Sequence, residues 1–132
     1  MAAVGDVDVE VLLIGWLQQR LGPGVVVRDE LDNNLLNELP TVQVQRAGGG
    51  DDGFRLDRPV VDTNAYATSR GAALALCQQV RRLLLTELRG SKAGPAVVGY
   101  ITTISAPTVR PYENLALRRA GATYQMHIHP VS

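Results

Sequence analysis

The sequence predicts an α+β domain: a mainly antiparallel sheet of four to five strands, two helices packed on one face, and a long β-hairpin or loop around residues 46–59. Three observations carry that expectation. Residues 6–21 and 69–89 repeat apolar side chains at helical spacing, several other segments alternate apolar with polar residues, and the elements follow the order helix, strands, helix, strands. The 132 residues fit one domain, 1–132. A chain of this size buries roughly two thirds of its unfolded surface and needs no staple to hold a core. A composition of 45% hydrophobic and 20% charged residues marks it as globular.

Asp6 can cap the first helix, which runs to about Leu21 before "GPG" at 22–24 stops it. Val9, Leu12, Leu13, Trp16, Leu17 and Leu21 form its apolar stripe. Val7, Val11 and Ile14 make a second stripe, which either widens the core or meets another chain. "VVVRDEL" at 25–31 reads as a short strand, followed by a polar loop to Pro40. "TVQVQRA" alternates, with Val42 and Val44 inward and Gln43 and Gln45 outward. In "RPVVDTNAYA", Pro59, Val61, Thr63, Ala65 and Ala67 share a face.

Thr68 or Ser69 caps the second helix, whose core side is Ala73, Leu76, Cys77, Val80, Leu83, Leu84 and Leu88. Gly90 ends it. "VVGYITTISA" is a β-branched strand, "PTVRPYENLALRRAG" an irregular connection, and "ATYQMHIH" a closing strand with Ala122, Tyr124, Met126 and Ile128 inward. No internal repeat or low-complexity tract interrupts the order.

The stretch "RAGGGDDGFRLDRP" invites chemistry, and its neighbours decide against most of it. A phosphate loop needs a lysine and a helix after its glycines; here two aspartates and a strand follow. Asp51, Asp52 and Asp57 lack the alternate spacing of a calcium loop. Turn chemistry accounts for the stretch, since glycines supply positive φ and aspartates bond nearby amides. His127 and His129 lie about 7 Å apart on one strand face, but a zinc site asks for a third and fourth ligand. Cys77, the single cysteine, sits among leucines and valines on a helix stripe, the setting of a buried thiol. No serine elbow and no carboxylate pair stands out. Neither an enzyme nor a bound cofactor is expected.

Net charge is zero, yet the charges are unevenly spread: residues 1–57 carry −6 and residues 58–132 carry +6. The asymmetry is either chance or a molecule with two faces of opposite sign, suited to head-to-tail association. The basic half lacks a nucleic-acid reading motif. "VLLIGWL" is too short to span a bilayer, and the acidic start "MAAVGDVDVE" is unlike a signal peptide, so a cytoplasm-like compartment and no membrane partner are expected.

Three segments carry a resemblance. "VQRAGGGDDGFRLDRPVVD", then "YATSRGAALALCQQVRRLLL", then "PYENLALRRAGATYQMHIHP" together resemble the tail terminator proteins of long-tailed (siphovirus-type) actinobacterial phages, which are similar in fold to lambda-like terminators. The likeness covers most of the chain. "TNAYA" at 63–67 departs from the more regular valine–aspartate alternation expected of relatives. The resemblance implies a non-enzymatic virion protein at the neck, assembled in the host cytoplasm as a homo-oligomeric, hexameric ring. The ring caps the head-proximal end of the tail tube, ends tube polymerisation, and meets the tail tube protein and a head-completion or stopper protein. Genomic DNA passes through its lumen without sequence-specific binding.

On that basis Val7, Val11, Ile14, Arg118 and Arg119 are candidate subunit contacts. Gly49, Gly50, Asp51, Asp52, Arg55 and Asp57 form a candidate loop reaching the lumen or a neighbour, and Tyr112 and Glu113 are candidates for the tube or neck. A head–tail connector or stopper ring, and a small phage DNA-binding protein, are the alternatives.

Overall fold

The computed structural model describes residues 7–53 and 56–130. Helix α1 spans Val9–Leu21 and is capped by Asp8, whose Oδ1 accepts from the amides of Glu10 (3.0 Å) and Val11 (3.2 Å). The expected cap, Asp6, lies outside the described residues. Helix α2 covers Arg70–Leu83 behind the Ser69 cap and continues as a π-helical turn, Leu84–Leu88, that keeps Leu84 and Leu88 fully buried.

Six strands form one sheet: β1 (Val26–Arg28), β2 (Thr41–Asp51), β3 (Asp57–Ala67), β4 (Ser91–Ala93), β5 (Ala96–Arg110) and β6 (Arg118–Pro130). Their spatial order is β1-β2-β3-β6-β5-β4. The α+β class and the two helices hold. The expected four to five antiparallel strands do not: the sheet has six and is mixed, because β1 runs parallel to β2. That parallel pairing is reached through a 12-residue excursion, 29–40, containing a single 3-10 turn at Leu35–Asn37.

Two further expectations change. The glycine-rich stretch is mostly ladder, since β2 continues to Asp51 and β3 starts at Asp57. The "irregular" connection after residue 106 is also mostly strand, with β5 and β6 paired as far as Arg110 and Arg119. Ala106 and Pro107 fall in a register shift between Ser105 and Thr108, where proline's missing N–H costs no ladder bond.

Both helices pack on one sheet face. Leu13, Leu17, Ala73, Cys77, Val80 and Leu84 meet Val42, Val44, Val61, Ala65, Ala122, Tyr124, Met126 and Ile128 in one buried cluster. In the "TNAYA" segment Thr63, Ala65 and Ala67 keep to this face. Tyr66, pointing the other way, joins Leu35 and Leu117 in a second small core under the loops 29–40 and 111–117.

Candidate functional site

The β2–β3 arm begins with a bulge. Pairing steps from Arg46–Val61 to Gly48–Val60, so Ala47 has no partner. Side chains fix this kink. Arg46 forks onto Asp57 (Nη1 to Oδ2 2.7 Å, Nη2 to Oδ1 2.8 Å), and its Nε donates to the Gly48 carbonyl at 3.0 Å. Glu10 of α1 reaches across to accept the Arg46 amide at 2.7 Å. The Asp57 hydrogen bonds hold the Arg46 guanidinium pKa above its ordinary value. Asp57 is therefore buried in an ion pair although it stands opposite Asp51 at the far end of the β2–β3 ladder, whereas Asp51 and Asp52 are exposed. Asp51 Oδ1 accepts from Gly53 N–H (2.7 Å) and Asp52 Oδ1 from Leu56 N–H (3.0 Å), the turn role expected of them. Arg55 lies outside the described residues.

The arm's glycines have different reasons for being glycine. Gly49 has φ +91°, and a Cβ there would stand 2.1 Å from the Arg58 carbonyl oxygen, so β3 itself demands it. Gly50 has neither positive φ nor any atom within 4 Å of an added Cβ. Gly15, on the exposed side of α1, has the same open surroundings. One turn earlier stands Val11, 66% exposed, while Val7 and Ile14 pack partly into the core. The second stripe of α1 thus divides: two members widen the core, and Val11 with Gly15 faces outward.

The two lateral edges of the sheet are treated differently. At β1, Gln18 acts as a substitute strand: its Nε2 donates to the Val25 carbonyl (2.7 Å) and its Oε1 accepts from Val27 N–H (3.0 Å). Beyond β1, Gln43 Nε2 of β2 donates to the Asp29 carbonyl, and Glu10 accepts the Arg46 amide of β2. At the opposite edge β4 covers only Ala96–Val98, and Gly90 N–H takes the Val98 carbonyl at 2.8 Å. From Gly99 to Arg110, β5 pairs only with β6 among the described residues. Tyr100 and Ile104, 53% and 58% exposed, stand on this open strand.

The segment 111–119 is a compact rim. Tyr112 meets Tyr66 edge-on at 5.3 Å, and the Arg119 guanidinium lies 5.2 Å from the Tyr112 ring while donating to the Pro111 carbonyl at 2.5 Å. Burial pushes the Tyr66 phenol pKa up, with Arg119 opposing. Arg118 ties the carbonyls of Leu115 (2.9 Å) and Leu117 (3.1 Å). Glu113 is exposed, and with Tyr112 it borders a cleft completed by Asp32, Leu35 and Leu36.

On the sheet face away from the helices, Arg110 binds Asp62 (2.9 and 3.1 Å), Asn64 (3.0 Å) and Thr123 (3.2 Å), tying β3, β6 and β5 together. The His127 ring lies tilted against Tyr100, centroids 5.9 Å apart, and His129 contacts its neighbour's carbonyl. Among the described residues no group of three or more His, Cys, Asp or Glu could hold a metal, and no helix is long and apolar enough to cross a membrane. Cys77 is buried, its thiol pKa pushed up to about 11 by that burial.

The sequence-predicted residues thus fall on three separate places: the arm, the outer side of α1, and the rim. Sequence reading missed Gln18, Glu10 and the open edge of β5, all of which depend on contacts between distant segments. One signal was present, namely the glycine at 99, which falls in a bulge where pairing steps from Val98–Ile128 to Tyr100–His127.

A protein of the native gene transfer agent (GTA) particle virion superposes with a TM-score of 0.55 over 91% of this chain and 93% of that one, at 15% identity. At that identity the likeness speaks for the fold. No curated protein sequence matches the chain. The family model for phage tail termination proteins matches residues 5–109. On that match, the chain belongs to the phage tail termination protein family, a family of structural tail proteins.

Proposed function

We propose that this chain is the tail terminator of a long-tailed, siphovirus-type actinobacterial phage, and that it acts by shape. Copies close a ring, of six subunits by resemblance, on the head-proximal end of the tail tube. The ring blocks further tube subunits and offers its other side to the head-completion protein. The observation that carries this reading is the family match over residues 5–109.

The surfaces support it. Val11 with Gly15 offers an exposed, closely approachable helix side for a neighbouring copy. Arg118, Arg119, Tyr112 and Glu113 form the rim assigned to neighbouring subunits and to tube or neck. The arm, with Asp51 and Asp52 at its tip, reaches the lumen or a neighbour. The Asp62–Arg110 pair neutralises the charges at the centre of the polar sheet face, so that face offers passing DNA no unpaired cation there.

Electron microscopy of tails assembled with and without the chain tests the function. With it, tubes should end in a ring at one end and have one length. Tubes of equal, fixed length in its absence would refute a terminating role.

A further inference from the structure

One end of the sheet face away from the helices carries cations and no carboxylate. Met126 and Ile128 pack under the helices, so His127 and His129 point the other way. The pairing Lys92–Val97–His129 makes one row across that face, and Tyr100–His127 makes the next. Arg58 extends the second row, because the β3–β6 register is unchanged from Asp57–Ile128 to Val60–Gln125. Among the described residues neither Arg58 nor Lys92 joins an ion pair. The following row is Thr102, Gln125 and Val60, and the first acid beyond it is Asp62, which Arg110 neutralises. Asp52, past the end of β2, already accepts the Leu56 amide.

The opposite end of the same face carries the reverse charge. The excursion 29–40 lies over Tyr66, and residues 29–38 hold Asp29, Glu30, Asp32 and Glu38 with no base among them. Arg28 pairs with Asp32 and Glu38, and its Nε donates to the Glu30 carbonyl. That fixes the loop and leaves the Asp29 and Glu30 side chains exposed and outside these pairs. Glu113 joins Asp32 in the wall of the adjoining cleft, which no cation lines. The neighbouring Arg118 and Arg119 are turned to backbone carbonyls and to the Tyr112 ring. Arg58 and Tyr66 stand at the two ends of β3, roughly 26 Å apart at the usual strand rise, so the cationic and acidic ends of one copy cannot meet.

Each end also exposes one large apolar side chain: Tyr100, 53% exposed, beside the cations, and Leu36, 49% exposed, on the acidic loop. An apolar anchor ringed by charge is the composition of a protein contact. Two unlike patches of opposite sign on one chain make that contact a heterologous one between copies. We propose that the acidic loop 29–38 of one copy docks on the Arg58–His127–Lys92 end of the next copy's sheet face, with Leu36 and Tyr100 as its apolar anchors. This deepens the ring reading, on which it rests, by naming the surfaces that join. It also gives the uneven charge of the two halves of the sequence a place in the fold, since the loop belongs to the acidic half and Arg58 and Lys92 to the basic one.

The test is charge exchange in the full chain, read by native mass measurement and by electron microscopy on tail tubes. The face variant is Arg58→Glu with Lys92→Glu, and the loop variant is Asp29→Lys with Glu30→Lys. None of the four side chains is in an ion pair, so the Tm of each unassembled variant should stay close to that of the unmodified chain. Either variant alone should weaken ring formation by about tenfold or more, because like charges then face each other. Mixed one to one, the two should assemble again, since every contact in an alternating ring then joins opposite charges. Arg70→Glu with Arg82→Glu, the same change of charge on exposed positions of α2, should form rings like the unmodified chain. Rings that form normally from either variant alone, a mixture of folded variants that stays unassembled, or equal weakening by the α2 changes would each overturn the contact and leave the terminator reading standing. Absence of rings from the unmodified chain, even on tail tubes, would remove both.

Discussion

Gly121→Ala should cost about as much as the whole Arg110 network is worth, and no more. Gly121 lies on β6 opposite Asn64 of β3 and Thr108 of β5. A Cβ there would stand 2.3 Å from Asn64 Oδ1, 2.4 Å from Arg110 Nη1 and 2.6 Å from Arg110 Cζ. These are the ends of flexible side chains, so the methyl displaces them and leaves the strands together. What disappears is the Arg110 contact with Asp62, Asn64 and Thr123. The ion pair, each partner about a quarter exposed, contributes about 1 kcal/mol after solvent screening, and the two remaining hydrogen bonds about 0.5–1 kcal/mol each. The sum is about 2–3 kcal/mol, or a fall of roughly 10 °C in Tm at this chain length. Arg110→Ala should cost about 2 kcal/mol by losing the same contacts. The two losses overlap, so the double variant should be little worse than either single one, with a coupling of about 2 kcal/mol. Urea unfolding of the four proteins measures this. Additive losses would show that the methyl splits the β3–β6 ladder itself, and the reasoning would fail.

Four other outcomes follow from the same structure. Gln18→Ala removes bonds to Val25 and Val27 and bares the β1 edge, so about 2 kcal/mol of stability should go and aggregation on storage should rise; unchanged light scattering would contradict the capping role. Asp57→Ala should cost about 2 kcal/mol and speed amide exchange at residues 48–51, because Arg46 loses its bidentate partner; exchange confined to the old rates would separate the arm from that pair. Cys77 keeps its proton in the fold up to about pH 11 but loses it near 9 when unfolded, so the folded chain binds more protons in that window. Stability should fall there by at most about 1.4 kcal/mol per pH unit on this account, and Cys77→Ala should lessen the slope; identical slopes would refute it. Gly49→Ala, in contrast to Gly50→Ala, should destabilise by about 2–4 kcal/mol, combining positive φ with collision against the β3 backbone; equal urea midpoints for the two variants would count against it.

Periodicity made much of this fold legible. The α2 stripe Ala73, Leu76, Cys77, Val80 and Leu84 is buried as its spacing demands, and β6 alternates as "ATYQMHIH" reads. The errors have local causes. Pro107 and Pro111 made 107–111 look like punctuation, yet one sits in a bulge and the other just beyond the β5 end. Three-residue β4 is too short to alternate, and a parallel β1 cannot be told from an antiparallel one by its own residues. The candidate site was less legible. Asp57 read as one of three loop acids, but its partner is eleven residues away across the arm. Glu10 looked like a surface helix acid, and what it holds lies 36 residues on. Val7, Val11 and Ile14 share a helical stripe, and only the packed sheet below decides which of them is left outside.

The sheet's order has a consequence for how the molecule comes into being. β6 is the sixth strand in the chain and lies between the third and the fifth, so β3 and β5 each lack a neighbour until residues 118–130 arrive to fill the slot. A nascent chain short of that point presents two bare strand flanks and half a hydrophobic interior, a species suited to a chaperone and unsuited to building anything. Only a chain that includes β6 acquires the surfaces described above.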